Sequence, residues 1–301
     1  MAESASCVAG LDEAYLQQQY AKYQNVLKGA KKGEVVTRFP PEPSGYLHIG
    51  HVKASMINYH YSRIYEGKMI VRFDDTNPAK EKDEFVQSIL EDLKSLGVQY
   101  TKLTHTSDYF DTLLNMMTDL IKEGKCYCDN TPADVMKHNR DKGIPSATRD
   151  NTPEKNLAIW EKMQIGEAPE YCVRGKANME ALNKCMRDPV LYRCKDEPHH
   201  RTGTKYRVYP TYDFACPIVD SIEGITHTMR TNEYSDRIEQ YNWVIKMTNL
   251  RPVTIYEFSR LNFVRTCLSK RKLQWFVDTG KVEGWHDPRF PTVRVRARFL
   301  K

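Results

Sequence analysis

Val35-Val36-Thr37-Arg38-Phe39-Pro40-Pro41-Glu42-Pro43-Ser44-Gly45-Tyr46-Leu47-His48-Ile49-Gly50-His51 is the stretch on which the fold turns. Its first five residues are β-branched, aromatic or long-chained and read as a strand, stopped by two prolines. A Pro-Ser-Gly turn follows, and from Gly50 the apolar residues Val52, Ala54, Met56, Ile57 and Ile64 support a helix ending near Gly67. A second strand, Met69-Ile70-Val71-Arg72-Phe73, ends in Asp74-Asp75. Another helix over 80–96 places Phe85, Ile89, Leu90, Leu93 and Leu96 on one face, with Gly97 as its stop. Strand, helix, strand, helix in so short a span predicts a parallel sheet in an α/β fold.

Upstream, residues 11–27 have helical spacing and lead into a basic linker, so 1–33 reads as a helical extension. Downstream the texture changes at Ser107. A helix to Gly124 precedes a stretch over 129–200 with no βαβ rhythm, read as an insertion. Parallel-sheet texture is expected to resume at Tyr206, followed by a helix over 236–247 and a strand over 254–258. The expected division is therefore 1–33, a first catalytic half at 34–106, an insertion at 107–205, a second half at 206–265, and a terminal segment at 266–301.

Forty-five Lys and Arg against 39 Asp and Glu leave a net charge of +6, which suits an anionic partner without requiring one. The eight cysteines make no paired CxxC framework and read as reduced thiols. Cys126-Tyr127-Cys128 is the one close pair, so no structural zinc is expected and no metal ligand is assigned. No signal peptide is read at the start and no apolar run is long enough to span a membrane, which makes the cytoplasm the expected location.

Two short segments bear chemistry. His48-Ile49-Gly50-His51 opens a helix, where unpaired N–H groups and the positive dipole end favour phosphates. Gly50 leaves room at the backbone, and two histidines three apart share one side of the first turn. Near the end, Leu268-Ser269-Lys270-Arg271-Lys272 reads as a basic loop able to clamp a polyphosphate.

Together these segments resemble the HIGH and KMSKS motifs of class I aminoacyl-tRNA synthetases. The flanks narrow the resemblance to the glutamyl/glutaminyl-tRNA synthetase family of eukaryotes and archaea: residues 38–47, 72–78, 209–214 and 287–292 all match its motifs. The resemblance runs from about residue 34 to 294 and implies a doubly wound, Rossmann-like parallel sheet split by an acceptor-stem-binding insertion. It implies ATP-dependent activation of L-glutamate and transfer to the 3′ end of tRNA(Glu), with Mg²⁺ on the ATP phosphates. By the same resemblance His48, His51 and Lys270 are catalytic, and Gly50, Arg260, Leu261, Ser269 and Arg271 bind ATP. Cys267 stands where the first KMSKS lysine would be.

Glutamate is distinguished from glutamine by its charge, and Arg is the side chain whose fork fits a carboxylate. Glutamyl enzymes of the family carry an Arg after Gly-Ile-Thr-His where glutaminyl enzymes commonly carry Cys, and Arg230 stands there in this chain. Arg38, Tyr212 and Cys216 are expected beside the substrate side chain, and Asp74 on the α-ammonium. Arg140, Lys142, Arg149, Arg174, Lys176, Arg187 and Arg193, spread among Tyr171 and Tyr192, are expected on the tRNA acceptor end. Competing readings are a glutaminyl enzyme, a tRNA-modifying glutamyl transferase, and a non-catalytic tRNA-binding or scaffold module. Family members continue past residue 294 into anticodon-binding domains, so an excised or naturally short catalytic region is expected, with room for multi-synthetase assembly through regions outside this chain.

Overall fold

The computed structural model describes residues 13–261 and 265–293, apart from the side chain of Lys270. Helix α1 (Glu13–Tyr23) sets Tyr20 edge-on against Tyr65, with ring centroids 5.5 Å apart. Strand β1 (Val36–Phe39) leads through the Pro-rich turn to α2 (Ile49–Ile64), which returns the chain to β2 (Lys68–Phe73). The two strands pair in parallel, with Arg38 opposite Ile70. Gly67 makes the return tight: a Cβ there would stand 2.0 Å from the Val35 carbonyl oxygen. Helix α3 (Asp83–Ser95) leads to β3 (Lys102–His105), parallel to β2. This strand was not read from the sequence, because Lys-Leu-Thr-His is a largely exposed edge with little apolar signal.

A 3₁₀ turn (Thr106–Tyr109) and α4 (Phe110–Lys122) then enter a different sheet. Its strands are β4 (Cys126–Asp129), β5 (Cys172–Gly175), β6 (Val190–Cys194) and β7 (Val208–Pro210), all antiparallel in that order. Helices α5 (Ala133–Lys142) and α6 (Pro153–Ile165) lie between β4 and β5 in the chain, and α6 buries Trp160 and Met163. The parallel texture expected at Tyr206 therefore does not begin there. Val208–Pro210 hydrogen-bonds antiparallel to β6, because the His199–Gly203 turn reverses the chain, a connection too short for a parallel crossover.

Helix α7 (Tyr212–Ile222) leads to β8 (His227–Thr231), and α8 (Ile238–Met247) to β9 (Thr254–Phe258), parallel to β8. Thr226 ties this pair to β1: its N–H donates to the Val36 carbonyl at 3.0 Å, and its hydroxyl accepts from the Val36 N–H at 2.9 Å. The spatial order is thus β3, β2, β1, β8, β9, reversing direction between β1 and β8. Phe39, Val71, Phe73, Ile89 and Leu93 pack in one core, and Ile70, Cys216, Ile225, Tyr241 and Ile245 in another, so helices cover both faces as a doubly wound fold requires. Such sheets bind ligands beyond the strand carboxyl ends where the order reverses. At the far end Ser269 precedes α9 (Lys270–Asp278), so the basic cluster read as a loop starts a helix, consistent with the propensity of Lys-Arg-Lys-Leu-Gln. No described helix is long and apolar enough to cross a membrane.

Candidate active site

A cavity of about 670 Å³ is lined by Arg38, Asp74, Tyr212 and Arg230 among others. Four residues far apart in sequence are thereby brought together. The strand register explains two nearby guanidiniums. Arg38 lies opposite Ile70, and Arg72 is two residues on, so both project from one face of the sheet. On α7, Tyr212, Cys216 and Asp220 recur every four residues along one stripe facing them. Arg38 Nε donates to Asp220 Oδ1 at 2.9 Å, Arg72 also pairs with Asp220, and Arg72 Nη1 meets Glu223 Oε2 at 2.7 Å. Tyr241 donates its hydroxyl to Asp220 Oδ2 at 2.8 Å. Burial raises the Asp220 carboxyl, but Arg38 and Arg72 beside it outweigh that and hold it well below the usual carboxylate range.

Asp220 and Glu223 escaped the sequence reading. Extending the four-residue spacing from Tyr212 through Cys216 by one more turn would have found Asp220. Cys216 sits in this layer behind the cavity, its Sγ 3.7 Å from Arg38 Nη2 and 3.6 Å from Asp220 Oδ2. Burial raises its thiol pKa.

Arg230 is the exception in the layer. It is 6% exposed, and its Nη1 has no hydrogen-bond partner among the described residues. Three tyrosine rings surround the guanidinium, with centroids 5.7 Å (Tyr212), 4.8 Å (Tyr234) and 5.3 Å (Tyr241) from Cζ. Glu233, near it in sequence, is turned elsewhere and pairs with Arg260 at 2.6 Å. Three buried guanidiniums, Arg38, Arg72 and Arg230, thus face two buried carboxylates, leaving one positive charge at the cavity wall.

The lining also carries the carboxyl groups of Glu42, Asp74 and Glu81. Asp74 follows β2, its N–H held by the Pro41 carbonyl at 3.0 Å and its Oδ1 3.3 Å from the Thr76 hydroxyl. Burial, then the charge of Asp75, pushes its carboxyl up to about 7; Arg72 pulls it down and Glu42 adds to the rise. Glu81 also lines the cavity, and burial raises its carboxyl to about 9.

His48 caps α2. Its Nδ1 accepts from the Gly50 N–H at 3.1 Å, and His51 Nδ1 accepts from the His48 N–H at 3.1 Å. Each neutral ring then carries its proton on Nε2, the form that donates to an anion. A Cβ on Gly50 would lie 2.9 Å from His48 Cε1, so glycine here accommodates the chain's own ring. Pro291 and Val293 close on the same turn, through Ile49 N–H to Pro291 O at 3.1 Å and Val293 N–H to Leu47 O at 2.9 Å.

Neither His48, Gly50 and His51 nor the other predicted ATP residues are in the lining of this cavity. Arg260 is spent on Glu233, Leu261 is half-buried, Ser269 precedes α9, and Arg271 is exposed. Phe258 does reach the cavity wall, and Lys53 on α2 holds the next residue through Ser259 O at 2.5 Å. The side chain of Lys270 lies outside the described residues.

Part of the basic set expected on tRNA has internal work instead. Arg174 is buried against Asp129 at 2.7 Å, Arg149 pairs with Asp188 at 2.7 Å, and Arg187 is bound to the carbonyls of Arg140, Asp141 and Ala181. Tyr192 is 1% exposed and cannot stack on a base. Arg140 and Arg193 do line the cavity, and the Arg193 Nε has no partner among the described residues.

Asp75, His199 and His200 bring ligand-type atoms within 4.8 Å of one another. His199 Nδ1, however, accepts from the N–H groups of Arg201 and Thr202, both at 3.2 Å. The proton of the ring therefore sits on Nε2, which donates to the Asp75 carbonyl at 2.8 Å. In this arrangement the group acts as a hydrogen-bonded brace.

The family model for the catalytic domain of class I tRNA synthetases (E and Q) matches residues 34–300. The chain belongs to that family. It is 56% identical over 282 residues to the cytoplasmic glutamate–tRNA ligase of Saccharomyces cerevisiae, covering 92% of this chain and 40% of the yeast protein. It is 58% identical over 270 residues to the bifunctional glutamate/proline–tRNA ligase of Drosophila melanogaster, covering 89% of this chain and 16% of that one. The chain thus spans less than half the length of these relatives. A crystal structure of a glutamate tRNA ligase from Elizabethkingia meningosepticum, in complex with its amino acid, superimposes with a TM-score of 0.60 at 19% identity, covering 81% of this chain and 53% of that one. That likeness extends the synthetase fold to a distant sequence.

Proposed function

We propose that this chain activates L-glutamate with ATP to glutamyl-adenylate and transfers the glutamyl group to the 3′ end of tRNA(Glu). The observation that carries this reading is Arg230, a buried guanidinium with no ion-pair partner among the described residues, in the lining of a cavity that also holds the Asp74 carboxyl. A dicarboxylic amino acid satisfies both groups: its γ-carboxylate meets Arg230 and its α-ammonium meets Asp74. Glutamine would leave the surplus positive charge in place. The names of the Saccharomyces cerevisiae and Drosophila melanogaster relatives, a glutamate–tRNA ligase and a bifunctional glutamate/proline–tRNA ligase, support the same choice.

In the first step an oxygen of the substrate α-carboxylate attacks the α-phosphorus of ATP, and the bond from that phosphorus to the bridging oxygen breaks, releasing pyrophosphate; Mg²⁺ bound with the ATP would offset the phosphate charge. In the second, a terminal ribose hydroxyl of tRNA, by class membership the 2′-OH, attacks the activated carbonyl and AMP departs. The protein positions and stabilises without a covalent intermediate. His48 and His51, with their protons on Nε2 and Gly50 between them, are the donors for the phosphates at the start of α2. Arg260 and Leu261 follow strand β9 toward the adenine, and Ser269, Lys270 and Arg271 supply the donors and charge for the leaving group. Arg38 and Tyr212 flank the substrate side chain, with Cys216 supporting them from behind.

The antiparallel sheet and its helices are the unit we assign to the acceptor end, presenting Arg140 and Arg193; with β7 included, that insertion runs three strands past β4 to Pro210. Residues 34–106 and the segment from α7 to 265 are the two catalytic halves, 1–33 an extension, and 266–301 the lead into a connector. The cytoplasm is the proposed location, as in the names of the yeast and Arabidopsis thaliana relatives, and the bifunctional relatives make assembly with other synthetases through regions outside this chain the proposed context.

Pyrophosphate exchange into ATP, with glutamate and glutamine in parallel and each with and without tRNA, tests this. Exchange much faster with glutamate is the expected result; faster exchange with glutamine, or none with either amino acid, overturns it. The Asp74 carboxyl adds a pH signature. With its pKa raised to about 7, the empty site loses the carboxylate that the ammonium needs as pH falls through 7. The KM for glutamate should therefore rise roughly tenfold between pH 8 and pH 6, with Asp75, Glu42 and Arg72 setting the midpoint. Asp74→Asn should weaken binding and flatten the profile. A KM that is level across that range in the wild-type chain removes Asp74 from the ammonium subsite.

A further inference from the structure

Asp74 can receive an ammonium only if the backbone turn that presents it holds still. That turn lies just beyond the carboxyl end of β2 and is gripped by three other segments. The Pro41 carbonyl accepts the Asp74 N–H at 3.0 Å. The Asp75 carboxylate accepts the Ser107 N–H at 2.8 Å and the Ser107 hydroxyl at 2.7 Å. The third grip comes from 124 residues away: His199 Nε2 donates to the Asp75 carbonyl at 2.8 Å.

Everything about His199 suits a rigid donor. Its side chain is fully buried, its ring lies edge-on to Phe110 at 5.4 Å and stacked on Tyr209 at 6.0 Å, and two backbone N–H groups occupy Nδ1. The tautomer is thus imposed, and among the described residues the Nε2 proton has one acceptor within hydrogen-bond distance, with Glu81 Oε2 at 3.6 Å and Asp75 Oδ2 at 3.8 Å beyond it. That acceptor belongs to the peptide joining Asp75 to Thr76, and the Thr76 hydroxyl stands 3.3 Å from the Asp74 carboxylate. His200 adds a second hold, with Nε2 3.5 Å from Asp75 Oδ2 and Nδ1 2.7 Å from Asp83 Oδ1 on α3.

We propose that His199 is a positioning residue for the α-ammonium subsite, orienting the Asp75–Thr76 peptide from the turn between β6 and β7 so that Asp74 faces the substrate. This rests on the glutamate-activating reading above. Loss of the donor frees the peptide to rotate, and the Asp74 carboxylate and Thr76 hydroxyl lose their alignment. Arg230 is surrounded by Tyr212, Tyr234 and Tyr241, whereas His199 packs on Phe110 and Tyr209, so the γ-carboxylate subsite and the phosphate donors on α2 should be untouched.

The experiment compares wild type, His199→Gln and His199→Phe in glutamate-dependent pyrophosphate exchange, with glutarate as a competitive inhibitor. Glutamine keeps an N–H donor at about the reach of Nε2; phenylalanine keeps the ring and loses the donor. In His199→Phe the KM for glutamate should rise tenfold or more while the KM for ATP changes less than twofold. Inhibition by glutarate, which lacks the ammonium, should stay within twofold of wild type. His199→Gln should recover the glutamate KM to within about threefold. Equal loss toward glutamate, glutarate and ATP, tracking a lowered melting temperature, would reduce His199 to a fold-stabilising residue and overturn the proposal, as would an unchanged glutamate KM in His199→Phe. A wild-type chain active with glutamate but insensitive to these changes refutes only this inference. A wild type inert toward glutamate refutes the activity on which it rests.

Discussion

Replacing Arg230 with cysteine is expected to lower kcat/KM for glutamate by two to three orders of magnitude while leaving the KM for ATP nearly unchanged. The substitution removes a buried cation that has no carboxylate partner among the described residues. The substrate γ-carboxylate would then enter a cavity wall whose remaining guanidiniums, Arg38 and Arg72, are already committed to Asp220 and Glu223. Leaving a desolvated charge unpaired costs about 3–5 kcal/mol, and each 1.4 kcal/mol is tenfold. Glutamine, which brings no charge, should lose far less, so the preference between the two amino acids should collapse. Stability should move the other way or not at all, because an anion-free guanidinium contributes little to the empty fold beyond its contacts with three tyrosine rings. Steady-state exchange kinetics with both amino acids and a thermal melt check these together. Equal glutamate kcat/KM in variant and wild type would remove Arg230 from the pocket.

The second large effect is on the fold itself. Asp220→Asn is nearly isosteric but leaves Arg38 and Arg72 buried with only Glu223 between them. A destabilisation of about 3–5 kcal/mol is expected, since breaking a buried bridge by removing one partner strands the other charge. The same linkage sets an acid limit. Because the folded Asp220 carboxyl is held below its ordinary range, its contribution is complete above the unfolded carboxylate pKa and is lost as pH falls toward the folded value. The wild-type chain should therefore lose stability steeply in acid, and the variant should lose less over the same interval. Urea titrations at neutral pH and in acid measure both; a variant as stable as wild type at neutral pH would mean the guanidiniums find other partners.

These two residues also show where sequence reading stops. Arg230 was legible because it follows a local motif, Gly224-Ile225-Thr226-His227, and a motif lists its members in order. Asp220 was not, although it lies between Cys216 and that motif, because its role exists only once α7 packs across β1 and β2. Arg174 and Tyr192 failed in the opposite sense. As letters they resemble a surface made for nucleic acid, and burial in the antiparallel sheet assigns them to the interior. Charge and aromatic content describe what a side chain could touch; exposure decides what it does.

By itself the sequence determined the parallel α/β core, through strand and helix periods that alternate within one short span, and it placed His48, Gly50 and His51 at a helix start. It also singled out Arg230. What only the tertiary structure decided is how charges far apart in the chain are balanced. Arg38, Arg72, Asp220, Glu223 and Arg230 come from β1, β2, α7 and β8 and the end of α7, and their sum can be read only after they share one buried layer. The same holds for His199 and Asp75, joined across 124 residues by a single hydrogen bond. Local periodicity is written in neighbouring residues, whereas electrostatic pairing depends on distance in space, and the chain order does not contain that distance.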